Sequence, residues 1–135
     1  MSFALHPRLA ADTAFIADLE LSRALLMNDR RYPWVVLVPR VPDAREVHRL
    51  DPETQTLLWR ETTDVASALD TLYGPDKMNI GAIGNLVPQL HVHVVARRAD
   101  DATWPQPVWG VGEAEPYGEA ALAARMAEIR ERLMP

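Results

Sequence analysis

Apolar and polar positions along the chain fall into short blocks divided by proline and glycine. Phe15 to Leu19 is a brief apolar run, Leu21 to Met27 is a second, and Trp34-Val35-Val36-Leu37-Val38 is a third, rich in β-branched residues. Runs of this length and composition predict strands, and the polar Asn28-Asp29-Arg30-Arg31 predicts a turn. The period then changes. Leu58, Val65, Leu69 and Leu72 recur at spacings of seven, four and three, which is one face of a helix. Asp51 as N-cap, Pro52 at the first helical position, Glu53 near the positive dipole end and Gly74-Pro75 as a stop bound it at about 52 to 73. Strands are expected again at Lys77 to Ile83 and Gln89 to Ala96, separated by Gly84-Asn85. A final helix is expected from Glu119 to Leu133, with Leu122, Met126, Ile129 and Leu133 as its apolar stripe. Strands and helices are segregated, so the pattern predicts an α+β fold with an antiparallel sheet.

Composition narrows the function classes. A length of 135 residues, with 48 % hydrophobic positions, suits one domain over 1–135 with its own core. With no cysteine, the chain has no disulfide, thiolate metal site or cysteine nucleophile. No run approaches the roughly 20 apolar residues of a spanning helix, and the N-terminus lacks a signal-peptide core. These features lead us to expect a cytoplasmic protein without membrane contact. The net charge of −5 argues against a nucleic-acid polymer as partner, since such binding needs a basic face. It leaves room for one small nucleotide held by a local cluster of donors.

The candidate chemistry concentrates in Gln89-Leu90-His91-Val92-His93-Val94-Val95. On a strand, Leu90, Val92 and Val94 share one face, wholly apolar and directed to a core. Gln89, His91 and His93 share the other, which is expected to meet solvent, a ligand or a metal. Two imidazoles two residues apart can reach one ligand, and histidine serves as nucleophile, acid or base near neutral pH. The preceding Asn79, Gly81, Gly84 and Asn85 supply amide donors and allow close backbone approach. The residues by themselves leave three readings open: partly satisfied histidines on an ordinary strand, a zinc pair lacking a third ligand, or a phosphate site. Asparagine and Asp29 also suit plain turn chemistry, and Trp104 and Trp109 suit either base stacking or packing. Arg97 and Arg98 read as a solvated strand end, and His6 and His48 as surface residues.

The Asn79, Gly81, Gly84, Asn85 run followed by Gln-Leu-His-Val-His-Val-Val resembles the signature of the histidine-triad family. The Asp29 turn and the Trp34–Arg40 strand agree in order and spacing. Arg97 to Asp101 and the Trp104–Gly110 run resemble one bacterial branch, labelled by similarity to diadenosine tetraphosphate hydrolases. The resemblance implies a five-stranded antiparallel sheet with a central and a C-terminal helix, usually as a homodimer. It also implies a nucleoside phosphate at the histidine strand.

Carried residue by residue, the resemblance makes His91 the nucleophile that attacks the α-phosphorus and forms a nucleotidyl-imidazole. It gives His93 the third triad position, beside the phosphate. Asn79, Gly84 and Asn85 fall on the phosphate loop, and Asp29 on the ribose-holding acid. No resident cofactor is implied, and magnesium is expected only as the companion of a polyphosphate substrate. Two departures stand out. Gln89 occupies the first triad position, and Val41-Pro42 stands where the family carries an upstream histidine. Glutamine carries no proton at neutral pH, so the chain is either an enzyme with altered proton handling or a module that binds nucleotides without turning them over.

Overall fold

The computed structural model describes residues 2–135. Three antiparallel strands begin the sheet: β1 (Thr13–Asp18), β2 (Ser22–Met27) and β3 (Trp34–Pro39). After the long crossover through α2 (Pro52–Tyr73) come β4 (Lys77–Gly81) and β5 (Val92–Arg97), and α3 (Glu119–Leu133) closes the chain. The sheet order is β1-β2-β3-β5-β4, with every pairing antiparallel. This is the α+β architecture expected, and both long helices run where the apolar periodicity put them. Asp51 caps α2 by accepting the Thr54 N–H at 2.8 Å, and Gly74 ends it in the left-handed conformation at φ 52°.

The sheet separates two apolar layers. On one face Ile16, Leu26, Val35, Leu37 and Val94 pack against Val65 and Leu69 of α2 and Ile129 of α3. On the other, Leu25, Trp34, Val36, Val38 and Val95 are covered by Leu9, Val87 and Val108, with Phe3, Leu5 and Trp109 at the margin. Every residue of β5 is therefore buried. The face holding the histidines, expected to meet solvent, a ligand or a metal, is roofed over by an N-terminal segment and the loop after β5.

Some boundaries differ from those expected. β5 begins at Val92 rather than Gln89, because Leu90 N–H bonds to Ala44 O at 2.9 Å and not to a sheet neighbour. The β3–β5 ladder ends at the Leu37↔Val92 pair, so His91 stands just outside the strand. β4 ends at Gly81 and not Ile83, and β1 and β2 shift by one or two residues at their ends. A short helix, α1 (Pro7–Asp12), was not foreseen, since six residues carry no periodicity. Its signal was Pro7 at the first turn after His6, whose Nδ1 accepts the Arg8 N–H at 3.0 Å.

Glu61 lies on the buried side of α2, 5 % exposed, where a carboxylate needs partners. Its two oxygens accept the N–H groups of Leu21 at 2.8 Å and Ser22 at 2.9 Å, tying the helix to the start of β2. Glu61→Ala leaves two amides without partners and is expected to lower stability by about 2–3 kcal/mol in urea unfolding. A loss within error would show that water replaces the carboxylate there.

Candidate active site

β5 leaves the sheet at the edge of the roofed face, and the two histidines stand at that exit. His91 is 6 % and His93 5 % exposed, with ring centroids 4.9 Å apart at an interplanar angle of 69°. They lie opposite the helical layer, since Val92 and Val94 take the core side.

Each ring has one nitrogen assigned by its partner. The Trp34 indole N–H donates to His93 Nδ1 at 3.0 Å. That nitrogen must be an acceptor, so the neutral His93 carries its proton on Nε2. Burial, reinforced by the adjacent His91, holds the His93 pKa down at about 3. Trp109 packs edge-on against His93 with centroids 5.3 Å apart. Gly81 lies beside the same indole: a Cβ there would meet Trp109 Cη2 at 3.4 Å, about van der Waals contact. His91 Nδ1 lies 2.7 Å from the backbone oxygen of Gln89. A carbonyl oxygen only accepts, so His91 carries its proton on Nδ1 and keeps the Nε2 lone pair free.

The His93 shift has a consequence for stability. An unfolded histidine titrates near 6.5, above the folded value of about 3. Between those values the unfolded chain takes up a proton that the folded chain does not. Stability is therefore full above pH 6.5 and falls as pH drops toward 3, by on the order of 3–5 kcal/mol. Urea unfolding from pH 7 to 4 checks this: His93→Gln is expected to flatten the slope, and an unchanged slope would assign it to another group.

His91 lines a cavity of about 520 Å³, with Arg45, His48, Gln55, Gly84 and Gln89 among its walls. Gly84, at φ 66°, turns the loop along that wall. A second cavity of about 280 Å³ adjoins it through shared Arg45, Pro88 and Gln89, and adds Phe3, His6 and Asp43. Gln89 stands between them with both ends of its amide hydrogen-bonded. Its Oε1 accepts the His6 N–H at 2.8 Å, and its Nε2 donates to Ala4 O at 2.9 Å. The side chain thus ties the N-terminal segment down beside the site.

Of the residues singled out from sequence, His91, Gln89 and Gly84 meet at the larger cavity, and His93 packs against His91. Three others lie elsewhere. Asp29 is 1 % exposed and grips Arg31 at 2.8 Å, while its Oδ1 also accepts the Arg31 N–H. That pairing fastens the β2–β3 turn to the segment at Val111 and Glu115, away from both cavities. Asn79 turns its oxygen to the Arg97 guanidinium at 2.8 Å. Asn85 is exposed and lines neither cavity. Arg97, expected at a solvated strand end, is 1 % exposed and paired with Asp101 at 2.7 Å. Sequence reasoning passed over Arg45 and Gln55; His48, read as a surface residue, is exposed as expected and also lines this cavity. His48 sits on a single 3-10 turn, Val47–Arg49, and no spacing relates it to His91. Among the described residues, no three His, Cys, Asp or Glu side chains converge to hold a metal ion. No described helix is long and apolar enough to cross a membrane.

The HIT domain model matches residues 8–100, which spans the sheet, α2 and both histidines. This chain belongs to the HIT domain family. Its fold is shared with crystal structures of histidine triad proteins from three bacteria. The Bradyrhizobium japonicum protein is 45 % identical, with 98 % of this chain and 99 % of that one covered at a TM-score of 0.96. The Sinorhizobium meliloti protein is 49 % identical, with 96 % of each chain covered at a TM-score of 0.94. The Marinobacter aquaeolei protein is 44 % identical, with 98 % and 97 % covered at a TM-score of 0.96. No curated protein matches the chain. Members of the HIT family are in general nucleotide-binding proteins, hydrolases or transferases.

Proposed function

We propose that this HIT protein is a nucleotide hydrolase or nucleotidyl transferase that works through a covalent nucleotidyl-His91 intermediate. Its substrate is a nucleoside phosphate, either a dinucleoside polyphosphate or a nucleoside phosphoramidate. The observation that carries the reading is the bond from His91 Nδ1 to the Gln89 carbonyl, 2.7 Å long, on a residue lining a cavity of about 520 Å³. It prepares the nucleophile in the productive tautomer before substrate arrives. His93 Nε2–H is a neutral donor beside it, suited to a phosphoryl oxygen as charge redistributes. Arg45 and the turn at Gly84 face the same space for the remaining phosphate charge.

No resident cofactor enters this scheme, and magnesium arrives only with a polyphosphate. The whole of residues 1–135 acts as one domain, in the cytoplasm, as a homodimer. Exposed apolar surface on Trp59 of α2 and Ile80 of the edge strand β4 supports the pairing.

Intact-protein mass spectrometry tests the reading after brief mixing with adenosine phosphoramidate or diadenosine tetraphosphate and an alkaline quench. An added AMP mass is expected in the wild type. A second reading, nucleotide binding without turnover, is favoured by Gln89, which holds no proton and spends its amide on the N-terminal segment. Thermal stabilisation by AMP with no adduct from either substrate would establish that reading instead.

A further inference from the structure

Group transfer through His91 needs proton handling that the histidine strand does not supply. Gln89 cannot ionise, and both ends of its amide are engaged by Ala4 and His6. His93 is held neutral and accepts from Trp34 at Nδ1. His91 is occupied as nucleophile. Of the four histidines in the chain, His6 faces the smaller cavity, with Nδ1 taken by the Arg8 amide. His48 lines the larger cavity together with His91, and it reaches that wall from the turn before α2. Arg45 and Glu46 are the other charged groups lining that space.

We infer that His48, which lines the same cavity as His91, is the acid–base residue of this site, taking on the proton transfer that Gln89 cannot perform. The inference rests on the proposed His91 chemistry. In the first step the His91 Nε2 lone pair forms a bond to the α-phosphorus. The bond from phosphorus to the leaving group breaks, its electron pair goes to the leaving atom, and protonated His48 gives that atom a proton. In the second step a water oxygen attacks phosphorus. Neutral His48 takes the water proton, and the phosphorus–nitrogen bond breaks with its pair returning to His91. One water is consumed, the products are a nucleoside monophosphate and the protonated leaving group, and both histidines return to their starting states.

This assignment makes a statement about substrates. A leaving amine must be protonated as it departs, whereas a stabilised oxyanion leaves unaided. His48 therefore equips the site for nucleoside phosphoramidates above esters of acidic alcohols.

The test is single-turnover adduct formation, followed by quenched mass spectrometry, with adenosine phosphoramidate and with the p-nitrophenyl ester of AMP. His48→Ala is expected to slow adduct formation from the phosphoramidate by about 100-fold or more, the usual worth of general acid catalysis. Adduct formation from the nitrophenyl ester is expected to stay near the wild-type rate. Added imidazole is expected to restore part of the lost rate. An equal loss with both substrates would make His48 a positioning or binding residue and overturn the inference, as would no loss with either. Absence of an adduct in the wild type with both substrates would instead remove the His91 reading itself.

Discussion

His91→Ala is expected to eliminate the nucleotidyl adduct and to lower turnover by at least about 10⁴-fold, the scale seen when a covalent nucleophile is removed. The size of the effect follows from its position. No other free imidazole lone pair touches His91: the adjoining His93 holds a proton on Nε2 and gives Nδ1 to Trp34. The fold is expected to survive. The side chain faces a cavity, and its one hydrogen bond is to a backbone carbonyl beside it in sequence. Losing a single neutral hydrogen bond costs about 1 kcal/mol. Circular dichroism and a urea titration separate the two outcomes. A variant that fails to fold would mean His91 holds the end of β5 to the loop before it, and the activity result would then carry no mechanistic weight.

The second large effect is expected on stability, at Arg97. Its guanidinium binds the Asp101 carboxylate at 2.7 and 3.1 Å and the Asn79 oxygen at 2.8 Å, and it lies over the Tyr32 ring at 5.4 Å. The side chains of Arg97 and Asp101 are 2 % and 6 % exposed. Removing one partner of such a pair leaves the other charge buried, so Arg97→Met is expected to cost about 3–5 kcal/mol. Burial pushes the Asp101 carboxyl up. The Arg97 guanidinium and the amides of Arg98, Thr103 and Trp104 outweigh it and hold the pKa at about 2. That value lies below the unfolded value near 3.9, so the stabilisation is full above pH 4 and is lost as pH falls toward 2. In Arg97→Met the loss is expected to begin at higher pH. Adding Asp101→Asn to that variant is expected to recover part of the stability, because the stranded charge is gone. If Arg97→Met unfolds at the same urea concentration as wild type, the pair contributes nothing net, and the loop is held by the Asp101–amide bonds alone.

Sequence pattern located the long elements well because each is long enough for its period to show. Leu58, Val65 and Leu69 are buried as their spacing required, and the Leu122 to Leu133 stripe meets the same layer. The exact end of β5 could not be seen this way. Gln89 to Ala96 alternates like a strand throughout, but the competition between Ala44 O and the sheet for Leu90 N–H is decided between segments distant in sequence. Arg97 was misread for a related reason. An arginine beside an aspartate-rich turn looks solvent-exposed until the turn folds back and delivers Asp101, Thr103 and the Trp104 ring to it.

The sequence by itself determined the fold class, the two helices and the His-x-His pair at the end of one strand. Local propensity and period specify these, and they need only neighbouring residues to agree. Tertiary structure decided what each functional side chain meets. It tied Gln89 to Ala4 and His6, committed Asp29 to Arg31 and Asn79 to Arg97, and brought His48 to the wall of the cavity that His91 lines. A hydrogen-bonding side chain has many possible partners of equal chemistry. Only the packing of distant segments chooses among them, and that choice separates a side chain that lines a cavity from one paired inside the protein.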